Sequence, residues 1–154
     1  LGASANVNLY YIWLRGEMYP KVIGMDRAHD LSPIGSLARA GVPTTLHSDY
    51  PIGPPKPLMA ISLALTRTGQ SGAKTLGPGQ AVTLDQALAM VTTDAAYVLG
   101  IDDKVGSLEP GKLADFTVLE RDPHTTAPRK IRDIGVWGTV VGGRVYPASE
   151  IGKK

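Results

Sequence analysis

The stretch Val42-Pro43-Thr44-Thr45-Leu46-His47-Ser48-Asp49-Tyr50-Pro51 reads as a short buried strand that delivers an acidic residue into a loop. It follows a helix-like segment that ends at Gly41. The residues after it, Pro51-Ile52-Gly53-Pro54-Pro55-Lys56-Pro57, exclude helix and central strand, because proline at this density removes amide donors and fixes φ. Alternation along the strand puts Thr45, His47 and Asp49 on one face and Thr44, Leu46 and Ser48 on the other. A histidine and an aspartate side by side at the C-terminal tip of a buried strand suit catalysis in an α/β protein. They equally suit a structural role, with Asp49 closing the turn into the proline loop and His47 a hydrogen-bonded core histidine.

Upstream, Val7, Leu9 and Tyr11 alternate against Asn6, Asn8 and Tyr10, which predicts a strand near residues 3–11. Residues 14–31 have no clear period and carry Gly16, Pro20 and Gly24, so a long loop with one helical turn is expected. Ser32-Pro33 has the form of a cap followed by proline in the first turn, Ile34, Leu37 and Ala38 form an apolar stripe, and Gly41 stops the helix. Strand, helix and strand in that order imply a parallel pair.

Downstream, Leu58, Ile61, Ala64 and Leu65 recur at helical spacing, and residues 69–82 read as a Gly- and Ser-rich surface loop. That loop holds no GxGxxG or P-loop pattern after a strand, which argues against a nucleotide site. Thr83-Leu84-Asp85-Gln86 has the form of a capping box, with Leu84, Ala87, Leu88 and Val91 as the buried stripe. Asp94 is expected to cap a second helix ending at Gly100. Beyond it the pattern turns to β: a short strand at Val105-Gly106-Ser107-Leu108, a turn at Glu109-Pro110-Gly111-Lys112, and a strand at Phe116–Leu119. An irregular basic loop over 124–132 follows, then a strand from Ile134 to Val141 that returns through Gly142-Gly143 into Arg144-Val145-Tyr146. His29 and His124 fall in loops and are expected to be solvated.

Composition narrows the function classes. With 16 basic and 14 acidic residues scattered along 154, the chain lacks the concentrated positive charge of a nucleic-acid or polybasic membrane surface. No apolar run is long enough to span a bilayer. The absence of cysteine excludes disulfides and thiolate metal sites and suits a reducing, cytoplasmic setting.

The order HSDYP, a proline loop, TLDQALAMVTTDAAYVLG, KVGSLEPGKLADFTVLERDP and VWGTVVGGRVY resembles the C-terminal third of metal-dependent amidohydrolases. Its nearest likeness is to amidohydrolase family 3, the branch of the N-substituted formamide deformylases. The likeness runs from about Ala3 onward, and GSLEPGKLADFTVLE with the VWGTVVGGR hairpin is its most specific part. The resemblance implies an α/β chain forming the last two strands and closing helices of a (β/α)8 barrel over 1–100, and the C-terminal portion of a composite β-sandwich over 101–154. Residues 3–11 would be strand seven, 43–49 strand eight, and 104–147 the contribution to the sandwich.

By the same resemblance, Asp49 would be the strand-eight aspartate that ligates the metal or its water, orients that water towards an amide carbon, and passes the proton to the leaving nitrogen. His47 would be an inner-barrel neighbour or substrate contact. Tyr10, Tyr11 and Trp13 would line a substrate pocket, or else pack as aromatic core. Asn8 would stand where relatives often carry a histidine, a departure that bears on a polar substrate contact. The implied cofactor is one or two divalent metal ions, expected to be zinc, and the implied substrate a small amide-type molecule.

A whole barrel takes roughly 250 residues, whereas this chain offers two of its strands and no HxH pair. One aspartate and one histidine fall short of the three protein ligands of a catalytic zinc. These residues are therefore expected to bind no catalytic metal alone, and to be a fragment. Its open strand edges would be covered in a homo-oligomer or by the missing N-terminal part. The rival expectation is a non-catalytic α/β assembly or binding module in which Asp49 is a turn residue.

Overall fold

A computed structural model describes residues 2–72 and 75–150. Positions 73 and 74 of the expected 69–82 loop, and residues 151–154 of the expected C-terminal part, lie outside the described residues.

A parallel pair of strands carries the Asp49 loop. β1 (Ala5–Asn8) and β2 (Thr44–His47) align Ala5 with Thr44 through to Asn8 with His47. Four short helices cross between them: α1 (Tyr10–Arg15), α2 (Tyr19–Ile23), α3 (Met25–His29) and α4 (Ile34–Arg39). The strand expected over 3–11 thus stops at Asn8, and most of the expected loop is helical. The cause is local. The Asn8 side-chain carbonyl accepts the Tyr10 N–H at 2.8 Å, which turns the backbone out of the sheet, and the Leu9 carbonyl then takes the amides of Ile12 and Trp13. Leu9, Tyr10 and Ile12 are all buried, so the apparent alternation in this stretch belongs to a helix docked in the core.

α4 begins after Ser32-Pro33 by a different device from the one expected. Ser32 is in the left-handed region (φ 50) and its hydroxyl donates to the Asn8 carbonyl at 2.9 Å, while Pro33 occupies the N-cap position itself. Gly41 (φ 66) follows the end of the helix, as the sequence suggests.

The centre of the molecule is α5 (Pro57–Thr66), in which every residue from Met59 to Ala64 is buried. Such a helix has no solvent face, which requires neighbours on all sides. These include Leu9 and Tyr10, the helix α6 (Leu84–Ala89), and the 3-10 segment Pro128–Asp133, which supplies Ile131. Ser62 on α5 donates to the Pro128 carbonyl at 2.8 Å. Residues 124–132 are accordingly largely 3-10 and docked on α5 through Ile131, which corrects the expectation of an irregular loop.

Arg67 directly follows α5 in the left-handed region (φ 49) and is fully buried. Its guanidinium donates to the carbonyls of Leu76 (2.8 Å), Ser32 (3.0 Å) and Leu31 (2.6 Å). Among the described residues it makes no ion pair, and burial lowers its pKa to about 10. It ties the start of α4 and Leu76 to the end of α5.

Thr83 and Gln86 form the expected capping box at α6, with reciprocal bonds of 3.2 and 3.0 Å. In α7 (Thr93–Leu99) Asp94 lies inside the first turn instead of capping it, and burial raises its carboxyl above the ordinary range. The expected strand at 105–108 does not form, although the 109–112 turn closes through the Lys112 N–H and the Glu109 carbonyl at 3.1 Å.

The second sheet is antiparallel, ordered β3 (Phe116–Leu119), β4 (Val136–Val141), β5 (Arg144–Pro147). Gly142 (φ 56) and Gly143 (φ 79) both adopt positive φ, the type I′ hairpin that two glycines favour. The register puts Phe116 and Val145 on one face and Trp137, Val141 and Tyr146 on the other, and all five are exposed.

Candidate functional site

β1 and β2 present two unlike faces. Val7 and Leu46, neighbours in register, pack against the α5 core. On the opposite face Asn6 pairs with Thr45 and Asn8 with His47, so it is polar throughout. Asn6 is exposed, Thr45 and Asn8 are buried, and His47 is half-buried.

The polar face ends in the 48–56 loop. Asp49 lies two residues beyond β2, exposed, in the left-handed region (φ 52), a conformation that aspartate tolerates better than most residues. Its carbonyl accepts the Ile52 N–H at 2.8 Å. The carbonyl before it, that of Ser48, accepts from the Gly53 N–H (3.0 Å) and from the Asn8 side-chain amide (3.4 Å). Position in a turn and position at the tip of a strand therefore coincide in this residue.

The aromatic residues separate. Tyr10 is 1 % exposed and turned into the core, with its hydroxyl donating to the Lys56 carbonyl at 3.0 Å. Burial pushes its phenol up, against the pull of that bond and of the nearby Arg132 charge. The aromatic-core alternative, not a pocket wall, describes its surroundings here. Trp13 meets Tyr10 edge to face, with centroids 6.4 Å apart, and also borders an open cleft of about 450 Å³ with Leu14, Glu17 and Met18. Tyr11 is half-buried on α1. A larger cleft, about 570 Å³, opens elsewhere, beside the start of β2 and against α7, and includes Pro43, Thr44, Tyr97 and Lys112. It adjoins the opposite end of β2 from Asp49 and does not include that residue.

Among the described residues no three His, Cys, Asp or Glu side chains come together as a metal cluster. Asp49 and His47 are fewer donors than a zinc site takes, so the chain's described residues do not fit a complete centre.

One polar constellation was invisible in the pattern. His124, expected to be merely solvated, bonds Asp122 through Nδ1 (3.1 Å) and Asp85 through Nε2 (3.0 Å). The Asp85 bond, then the Asp122 bond, raise its pKa, and the His124 backbone N–H, with the ring, lowers that of Asp122. Asp85 lies on α6, 39 positions away, a distance that sequence spacing cannot bridge.

Comparison with known proteins adds an independent line. The model of the amidohydrolase family matches residues 1–147. N-substituted formamide deformylase of Arthrobacter pascens is 38% identical over 140 residues, covering 90% of this chain and 25% of that protein. A 5-methylthioadenosine/S-adenosylhomocysteine deaminase of Symbiobacterium thermophilum is 34% identical over 113 residues, covering 72% and 26%. The crystal structure of an uncharacterized metal-dependent hydrolase from Pyrococcus horikoshii OT3 superposes with a TM-score of 0.70 at 25% identity, over 82% of this chain and 26% of that one. The chain spans about a quarter of the length of the curated relatives it matches.

Proposed function

Because the chain belongs to the amidohydrolase family, we propose that it supplies the C-terminal part of a metal-dependent hydrolase of carbon–nitrogen bonds other than peptide bonds. Relatives named as a formamide deformylase and as a deaminase support that bond class and a small amide-type substrate. In this reading residues 1–100 are the last two barrel strands with their closing helices, and residues 101–154 are part of a β-sandwich. The parallel pair with a polar face supports the first assignment, and the antiparallel sheet with apolar residues on both faces supports the second.

The observation that carries the reading is the place of Asp49 at the C-terminal end of a parallel strand, where barrel enzymes keep their chemistry. There its carboxylate takes a proton from the water that attacks the amide carbon. When the carbon–nitrogen bond breaks, the same proton goes to the departing nitrogen, leaving an acid and an amine. His47 and Asn8 border the same end, and Tyr11 and Trp13 lie on the helix that follows. The divalent metal of this reading, zinc by expectation, requires ligands beyond the described residues. Completion of the barrel by further chain, or association with other copies, would also cover the two open strands.

One observation favours a second reading: the Asp49 carbonyl closes a turn and its φ is positive, as a turn residue in a non-catalytic binding or assembly module would have. Asp49→Asn separates the two, since asparagine tolerates the same backbone but cannot carry the proton. In the complete hydrolase carrying this chain, turnover is expected to fall roughly 10²–10⁴-fold with Tm and bound metal kept. Turnover at the parental rate would assign Asp49 to the turn.

A further inference from the structure

We infer that Tyr10 is a positioning residue for Asp49, acting through the loop of residues 48–56; the inference rests on the hydrolytic role of Asp49 proposed above. The loop has little burial of its own. From Asp49 to Pro57 the one buried residue is Gly53, while Tyr50 is 72% and Ile52 47% exposed. Something other than its own apolar side chains must hold it, and apart from the turn bonds between its own backbone groups the holds converge on Tyr10.

The ring lies against Gly53, so close that a Cβ there would stand 2.5 Å from Tyr10 Cγ and 2.8 Å from the Ser48 carbonyl oxygen. The hydroxyl takes the Lys56 carbonyl at the far end of the loop, just ahead of α5. The Tyr10 N–H fixes the Asn8 side chain, whose amide reaches the Ser48 carbonyl immediately before Asp49. Trp13 braces the ring edge-on. The loop is therefore referred to one fully buried residue, at its start through the Tyr10 backbone amide and Asn8, and at its middle and end through the Tyr10 side chain. Prolines at 51, 54 and 55 restrict φ along the loop, so a shift at one hold is passed along it rather than absorbed.

This also accounts for a glycine in a proline-rich loop. Gly53 has an ordinary backbone conformation and is needed for proximity alone. A methyl group at that position must displace either the aromatic ring or the carbonyl that precedes the acid.

The test uses the complete hydrolase with Tyr10→Phe, which keeps the ring and removes the Lys56 bond, and Gly53→Ala, which disturbs the ring contact. Ile131→Val, in the core beside α5, is the control for a general loss of packing. Gly53→Ala is expected to lower kcat roughly tenfold to a hundredfold, and Tyr10→Phe severalfold, with KM within about twofold, as a small misplacement of a reacting group does. Ile131→Val should leave kcat at the parental value. In an Asp49→Asn background neither substitution should lower the residual rate further, because both act through the group already removed. An unchanged kcat in Tyr10→Phe and Gly53→Ala, beside an inactive Asp49→Asn, overturns the positioning role and leaves the hydrolase reading intact. Equal losses with and without the Asp49 carboxylate overturn it as well. Parental turnover in Asp49→Asn instead removes the reading on which it rests. Should Gly53→Ala fail to fold, Tyr10→Phe in the two backgrounds decides the matter alone.

Discussion

The parallel pair and the antiparallel sheet are held together by opposite kinds of contact. β4 and β5 are joined by two glycines, and their register follows from the turn between them. β1 and β2 are separated by four helices, and their surroundings are stapled by a side chain far along the sequence: Arg67 reaches Ser32 and Leu31, 35 and 36 positions away. The first arrangement closes a short loop at small entropic cost, while the second depends on buried polar groups that must all find partners. The region carrying Asp49 is the second kind. Its geometry is specified from a distance, and a distant substitution should therefore disturb it most.

Arg67→Met gives the largest expected stability effect. It leaves the Leu76 and Leu31 carbonyls without the Arg67 donor and the Ser32 carbonyl with the Ile34 N–H alone, in a region that water reaches poorly, and should cost about 3 kcal/mol or more. In denaturant melts this appears as a lower midpoint. Hydrogen exchange should show amides of β1 and β2 losing protection while those of β4 and β5 keep it. Equal loss in both sheets would make them one cooperative unit and break the comparison.

The converse is a smaller effect at the hairpin. Gly142→Ala meets no atom within 4 Å, so only the left-handed backbone opposes it, at about 1 kcal/mol. Gly142→Asn should be nearly neutral by thermal melt. Exchange in Gly142→Ala should quicken in β4 and β5 first, sharpening the contrast with Arg67→Met.

The smallest effect is at His124, which clasps α6 to the 122–126 turn from a solvent-exposed position. Its pKa is raised in the fold, so its contribution is fully present below the ordinary histidine value and is lost as pH rises through the raised one. The Asp122 pKa is lowered, so that residue contributes above the ordinary carboxylate value and loses its part as pH falls through the depressed one. The Tm difference between parent and His124→Gln should therefore be larger near about pH 5 than about pH 9, and salt should shrink it. A difference independent of pH would show that the clasp acts without charge.

The expectations that matched the structure concern residues whose partners are close in sequence. Thr83 and Gln86 cap each other, Glu109 and Lys112 close a turn, and Gly142-Gly143 sets a hairpin, all within four residues. Those that did not match were settled by an unforeseen side-chain bond to the backbone in one case and by distant partners in the others. YYIWLR over 10–15 carries the aromatic and branched residues of a strand, yet the Asn8 side chain starts a helix there and the core accepts its buried face. Ser32 looks like a helix cap, but the Asn8 carbonyl, 24 positions back, takes its hydroxyl. Arg67 had no sequence signal at all, since a lone arginine after a helix is ordinarily solvated. The place of Asp49 at a strand tip was legible from the alternation and the prolines, whereas the grip on its loop was not.

The amino-acid order alone determined the helices α4 to α7, the strands β3 to β5 with their hairpin, and the aspartate after the end of β2, because caps, turns and alternation are short-range consequences of backbone sterics and hydrogen bonding. Tertiary structure alone decided that Tyr10 faces the core, that Arg67 holds three carbonyls, and that His124 meets Asp85. Burial and hydrogen-bond partnership depend on which segments meet in space, and no local pattern encodes that meeting.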